Sequence, residues 1–115
     1  MSNRARPQRG THLARLAEIE DGAAIVRDFA EGEARFSLLI AREGDRAFAY
    51  ENTCPHARMP LDTFDGRALT QDGVIVCATH GACFDLRSGA CVGGPARAPL
   101  TRIAVSIENG AILMD

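Results

Sequence analysis

Eight glycine-centred turn signals at short intervals constrain what this chain can fold into. Asp21-Gly22, Glu31-Gly32, Glu43-Gly44-Asp45, Asp65-Gly66, Asp72-Gly73, Ser88-Gly89, Gly93-Gly94-Pro95 and Asn109-Gly110 leave segments too short for most helices. Those segments are rich in β-forming residues, so the pattern predicts an all-β chain. Candidate strands are Ala24–Arg27, Arg35–Arg42, Arg46–Glu51, Val74–Cys77, Cys83–Leu86, Ile103–Ile107 and Ala111–Leu113. Asn109-Gly110 supplies the positive φ angles of a type I′ turn, so the runs on either side of it are expected to form a hairpin. Glu43 to Asp45 joins two further runs in the same way. The segment His12–Glu20 is compatible with a helix, having Leu13, Leu16 and Ile19 at intervals of three. It lacks a clear cap, and in a β-rich chain it reads as strand or irregular.

A chain of 115 residues has no room for a second hydrophobic core. The expected organisation is a disordered basic tail at 1–10 followed by a single domain over 11–115. Arg4, Arg6 and Arg9 give the tail its charge, with no acid before Glu18. Pro7 and Gly10 would interrupt an amphipathic transit helix, and no apolar signal region follows. The net charge is −2, which points to neither nucleic acid nor an anionic membrane as partner. No run approaches the roughly 18–20 apolar residues of a membrane helix. A cytoplasmic location with reduced thiols is therefore expected, and the four cysteines read as metal ligands before disulfides.

Two motifs carry the chemistry: Cys54-Pro55-His56 and Cys77-Ala78-Thr79-His80, with 20 residues between His56 and Cys77. Each offers a thiol and an imidazole within a few positions. Two of the chain's three histidines thus fall beside cysteines, which argues for a joint role. A Cys₂His₂ set suits structural zinc, although zinc modules usually draw two Cys from one element and two His from another. The alternating order C-x-H then C-x-x-H suits an iron–sulfur centre in which two His replace two Cys on one iron. Each motif follows a candidate strand, so two loops leaving neighbouring strands can bring all four side chains to one tip.

The segments N-T-C-P-H-A-R-M-P-L-D and V-I-V-C-A-T-H-G-A-C-F-D-L-R-S-G-A-C-V-G-G-P-A resemble the cluster-binding core of the Rieske family over about Asn52–Pro99. The likeness extends to Pro60-Leu61, to Gly81, and to Phe84-Asp85 leading into Ser88-Gly89. Gly94-Pro95 is similar to the family's proline loop. The resemblance implies a Rieske fold, an antiparallel β basal domain with an inserted cluster-binding subdomain at about 52–99. It implies one [2Fe–2S] cluster, with Cys54 and Cys77 on the inner iron and His56 and His80 on the outer, solvent-facing one. Two thiolates and two neutral imidazoles leave the oxidised site near zero charge, so an electron enters more readily than at an all-Cys site. Rieske centres accordingly span about −150 to +300 mV, against roughly −400 mV for plant-type clusters. The spacing between the motifs exceeds that of the shortest relatives, and the extra length is expected in a polar loop over Thr63–Gly73.

Departures from the respiratory branch of the family are as informative. Met59 and Thr79 stand where those relatives have a loop-bridging disulfide, and Ala82 and Phe84 stand where they have hydroxyls facing the cluster. Without those donors the reduced state is less stabilised, so the chain resembles the low-potential, soluble ferredoxin type. Cys83 and Cys91 flank an expected hairpin and read as strand core, with a labile disulfide as the alternative. His12 is expected to be solvated. Arg58 and Arg87 are either solvated loop charges or contacts for a docking partner.

The resemblance implies an electron carrier and not an enzyme in its own right. It would accept one electron from a flavoprotein reductase and pass it to a terminal oxidoreductase such as a ring-hydroxylating oxygenase. Two alternatives stay open: a small subunit of a larger oxidoreductase, similar to that of nitrite reductase, and a non-redox zinc-binding module. A catalytic oxygenase subunit is not expected at this length, because it would need a second domain with a mononuclear iron site and nothing in these 115 residues supplies its ligands.

Overall fold

The computed structural model describes residues 4–55, 60–61, 67–77, 81–94 and 98–115. Among them the chain forms β1 (His12–Arg15), β2 (Ala24–Glu31), β3 (Ala34–Glu43), β4 (Arg46–Glu51), β5 (Arg67–Gln71) and β6 (Val74–Val76). It continues with β7 (Cys83–Asp85), β8 (Cys91–Gly93), β9 (Arg102–Ile103), β10 (Val105–Glu108) and β11 (Ala111–Met114). One turn of 3-10 helix, Leu16–Glu18, follows β1, so the His12–Glu20 segment is strand and irregular structure. All pairings are antiparallel. They build a three-stranded sheet in the order β1-β11-β10 and a curled sheet in the order β8-β7-β6-β5-β2-β3-β4-β9.

The turn chemistry explains the hairpins. Asn109 and Gly110 have φ of 51° and 78°, as a type I′ turn requires, and Glu108 faces Ala111 across it. Asp72 and Gly73 repeat that geometry between β5 and β6, where Gln71 faces Val74.

The single core expected from the chain's length is in fact two core clusters, and strand β3 is the wall between them. Its side chains alternate, so Leu38 and Ile40 pack with Leu13, Ile19, Ala49, Ile103 and Ile112 at the base of the molecule. Leu39 and Ala41 pack on the other face, with Phe48, Tyr50, Cys54, Leu61, Cys77 and Phe84. A strand buried on both faces reads as a continuous apolar run, which is how Leu38 to Ala41 appears in the sequence.

Four features differ from the sequence expectation. Strand β2 runs on to Glu31 instead of stopping at Arg27, because its backbone stays paired with β3 as far as Glu31 opposite Ala34; along this ladder Asp28 lies opposite Ser37 and its carboxylate accepts the Ser37 hydroxyl. The supposed loop over Thr63–Gly73 contains β5, which pairs with both β6 and β2; residues 63–66 lie outside the described residues. Strand β8 was absent from the candidates, being too short to register. The expected strand Ile103–Ile107 divides at Ala104: Ile103 pairs with Ala49 in the large sheet, and Val105 pairs with Met114 in the small one. In the segment 4–10, Ala5 is buried, the Arg6 guanidinium lies 5.9 Å from the Phe36 ring centre, and the Gly10 N–H donates to the Met114 carbonyl at 2.7 Å. Among the described residues no helix is long and apolar enough to cross a membrane.

Candidate metal centre

Strand β4 delivers the first motif. Its last residue, Glu51, donates its N–H to the Thr101 carbonyl at 2.9 Å, and the chain then leaves the sheet through Asn52. Asn52 is 4% exposed and is the buried polar residue of the described chain. Its N–H donates to the Ser37 carbonyl at 2.9 Å and its Nδ2 to the Ser37 Oγ at 3.0 Å. Its Oδ1 accepts the Leu61 N–H at 2.8 Å. The side chain therefore ties together both ends of the loop that carries Cys54.

Strand β6 delivers the second motif, and Cys77 follows its last residue directly. The Cys77 N–H donates to the Ala82 carbonyl at 2.8 Å, and the Gly81 N–H donates to the Cys77 carbonyl at 2.9 Å. These two bonds close the base of the second loop. A third backbone segment lies against it at Gly94, where a Cβ would stand 2.6 Å from the Ala82 Cα and 2.7 Å from the Gly81 oxygen. Only glycine permits that approach, and its φ of +80° is one that side chains disfavour.

Cys54 and Cys77 are both buried, in one core with Tyr50, Leu61, Ala82, Phe84 and Leu86, and neither forms a disulfide. Two buried cysteines at the roots of two loops, in a shell that excludes water, fit thiolate ligation of a metal centre. His56 and His80 lie outside the described residues, as do Arg58, Met59, Thr79 and Pro95.

The rest of the site braces these loops. The Tyr50 hydroxyl donates to the Leu86 carbonyl at 2.7 Å, and burial pushes its phenol up to about 12. The Leu86 N–H in turn donates to the Gly73 carbonyl at 2.9 Å. Asp85 receives both the N–H and the hydroxyl of Ser88, at 3.0 and 2.7 Å, which fixes the turn between β7 and β8. Arg87 leaves that turn toward the base, where its Nε donates to the Glu43 Oε1 at 2.6 Å. His12 is exposed at the start of β1.

Register decides the other two cysteines. Phe84 faces Cys91 and Cys83 faces Gly93, so the two thiols project from opposite faces of the β7–β8 hairpin. Cys91 packs against the core that holds Cys54 and Cys77. Neither forms a disulfide. Asn52 and Tyr50 had no assigned role in the sequence; an amide directly after a strand and two residues before a candidate ligand was the available signal for the first.

Comparison with known proteins agrees with this geometry. Residues 11–104 match the family model described as the Rieske [2Fe-2S] domain. The chain is 34% identical over 97 residues to the ferredoxin component of an alkene monooxygenase system in Xanthobacter autotrophicus, covering 84% of this chain and 73% of that protein. It is 33% identical over 78 residues to the ferredoxin component of biphenyl 2,3-dioxygenase in Rhodococcus jostii, covering 68% of this chain and 69% of that protein. Among solved structures, the ferredoxin of carbazole 1,9a-dioxygenase from Nocardioides aromaticivorans superposes with a TM-score of 0.74 at 27% identity, covering 93% of this chain and 97% of that one.

Proposed function

This chain belongs to the Rieske [2Fe-2S] domain family, and from that premise we propose that Cys54, His56, Cys77 and His80 hold one [2Fe–2S] cluster per chain. The protein is an electron carrier of the ferredoxin type, and its partners are redox proteins. Its relatives named above are ferredoxin components of oxygenase systems, so a terminal oxygenase is the acceptor class and a flavoprotein reductase the donor. The proposed setting is the cytoplasm.

The observation that carries the ligand assignment is the shared burial of Cys54 and Cys77, rooted in one core beneath two loops and neither in a disulfide. When bound, a cluster with this ligand set supplies a one-electron couple at higher potential than an all-Cys site. The chain's residues hold and shield it. Leu61, Ala82 and Phe84 keep water from the thiolate side. His56 and His80, as the outer ligands, present the edge through which an electron passes. Residues 52–99 form the cluster-carrying part, braced on the base by Tyr50 and closed by Gly94 against the second loop.

Stopped-flow reduction tests this function. An NADH-dependent flavoprotein reductase from an oxygenase system should reduce the protein, and the reduced protein should be reoxidised by a Rieske oxygenase. Protein that takes up no electron from the reductase or from dithionite overturns the reading.

A further inference from the structure

We infer that Asn52, aligned by Ser37 and Asp28, is a positioning residue for Cys54 and thereby tunes the centre; this rests on the cluster reading above. The Leu61 N–H can only donate, so the Asn52 amide oxygen must face it, at 2.8 Å. The amide nitrogen then faces the Ser37 Oγ at 3.0 Å, and that oxygen must accept. The Ser37 proton is left to point at Asp28, whose carboxylate accepts it. Leu61, Asn52, Ser37 and Asp28 thus form a line of hydrogen bonds with one polarity.

That polarity removes the usual ambiguity of a buried amide. A flipped Asn52 would set its NH₂ against the Leu61 N–H, donor against donor, inside a site that is 4% exposed. Unsatisfied buried donors are costly, so the amide has one orientation. Asn52 and Leu61 are nine positions apart, and Cys54 lies within the loop they bracket. The far end of the line is anchored in the β2–β3 ladder, where Asp28 and Ser37 face each other in register. The base of the fold therefore fixes where the first ligand loop begins and ends. Backbone pairing of β2 with β3 does not depend on the Ser37 hydroxyl, so its removal leaves the scaffold in place.

The test compares Ser37→Ala, Ser37→Thr and Asn52→Ala in the full-length purified chain. Three quantities are read: the EPR line shape of the reduced protein, the rate of iron loss to a chelator, and amide hydrogen exchange at Leu61. Ser37→Ala should alter the line shape, hasten iron loss, and speed Leu61 exchange roughly fivefold, the ratio one ordinary hydrogen bond sets. Asn52→Ala should do so more strongly. Ser37→Thr keeps a hydroxyl in a strand that accepts threonine and should match the parent. Ser37→Ala that matches the parent in all three readouts overturns the inference, as does Ser37→Thr that behaves like Ser37→Ala. If Asn52→Ala does not fold, the two Ser37 variants decide. If the parent carries no iron, the cluster reading fails by itself, and Leu61 exchange in Ser37→Ala still decides whether the bracket exists.

Discussion

The Tyr50 hydroxyl donates a 2.7 Å hydrogen bond to the Leu86 carbonyl, joining β4 to the turn beyond β7 across 36 positions of sequence. The ring is fully buried, and a Cβ added at Gly89 would lie 2.7 Å from it, so the turn closes directly over the phenol. The segment that follows Cys77 is thereby fastened to the strand that leads into Cys54.

Tyr50→Phe leaves the Leu86 carbonyl without this donor and should cost about 1–3 kcal/mol in chemical denaturation at neutral pH. The parent also has an alkaline signature. Burial raises the phenol from 10.0 to about 12 in the folded chain, so its contribution is complete below pH 10 and is lost as pH rises toward 12. As Tyr50 is the chain's one tyrosine, phenolate absorbance reports it alone. Titration near 12 when folded and near 10 in denaturant is expected; equal values would show that the hydroxyl is not buried.

Gly94→Ala and Gly110→Ala separate steric fit from backbone strain. Both glycines have positive φ, 80° and 78°, so both substitutions carry roughly 1 kcal/mol of strain. At Gly110 the nearest atom to a new Cβ is 3.8 Å away, whereas at Gly94 the Ala82 backbone is 2.6 Å away. Gly94→Ala should therefore lower stability more and speed iron loss, while Gly110→Ala leaves iron retention unchanged. Thermal melts and chelator kinetics read the two effects, and equal behaviour would mean that Gly94 does not press on the second loop.

Much of this was legible in the sequence because glycine turns fix hairpins locally. Asn109-Gly110 and Glu43 to Asp45 both lie at hairpin turns, and all-β architecture follows from their spacing. Strand β5 was not legible. Arg67 to Gln71 lacks alternating β-branched residues, and it is a strand because the Asp72-Gly73 turn folds it onto β6. The break at Ala104 was also hidden, since Ile103 and Val105 look alike in sequence but enter different sheets. That Cys54 and Cys77 come together was foreseeable from their motifs, and they share one core. The bracket at Asn52 was not, because it depends on Ser37, a residue 15 positions away that only the β3–β4 pairing brings near.

Phe84 is fully buried in the core shared by Cys54 and Cys77, and Ala82 beside it also lacks a hydroxyl. With no side-chain donor from these positions, the potential is expected near the low end of the family range, about −150 mV. Phe84→Tyr should raise it, because a hydroxyl donor stabilises the added negative charge on sulfur. Protein-film voltammetry checks both values. A parent potential above about +100 mV would contradict the low-potential assignment, and an unchanged value in Phe84→Tyr would place that side chain away from the centre.

Iron, zinc and acid-labile sulfide analysis of anaerobically purified protein, with EPR after dithionite reduction, bears most directly on the role of Cys54, His56, Cys77 and His80. The expected result is about two iron and two sulfide per chain with a Rieske-type signal, lost in Cys54→Ser and Cys77→Ser. Colourless protein holding one zinc and no sulfide would contradict the electron-carrier account.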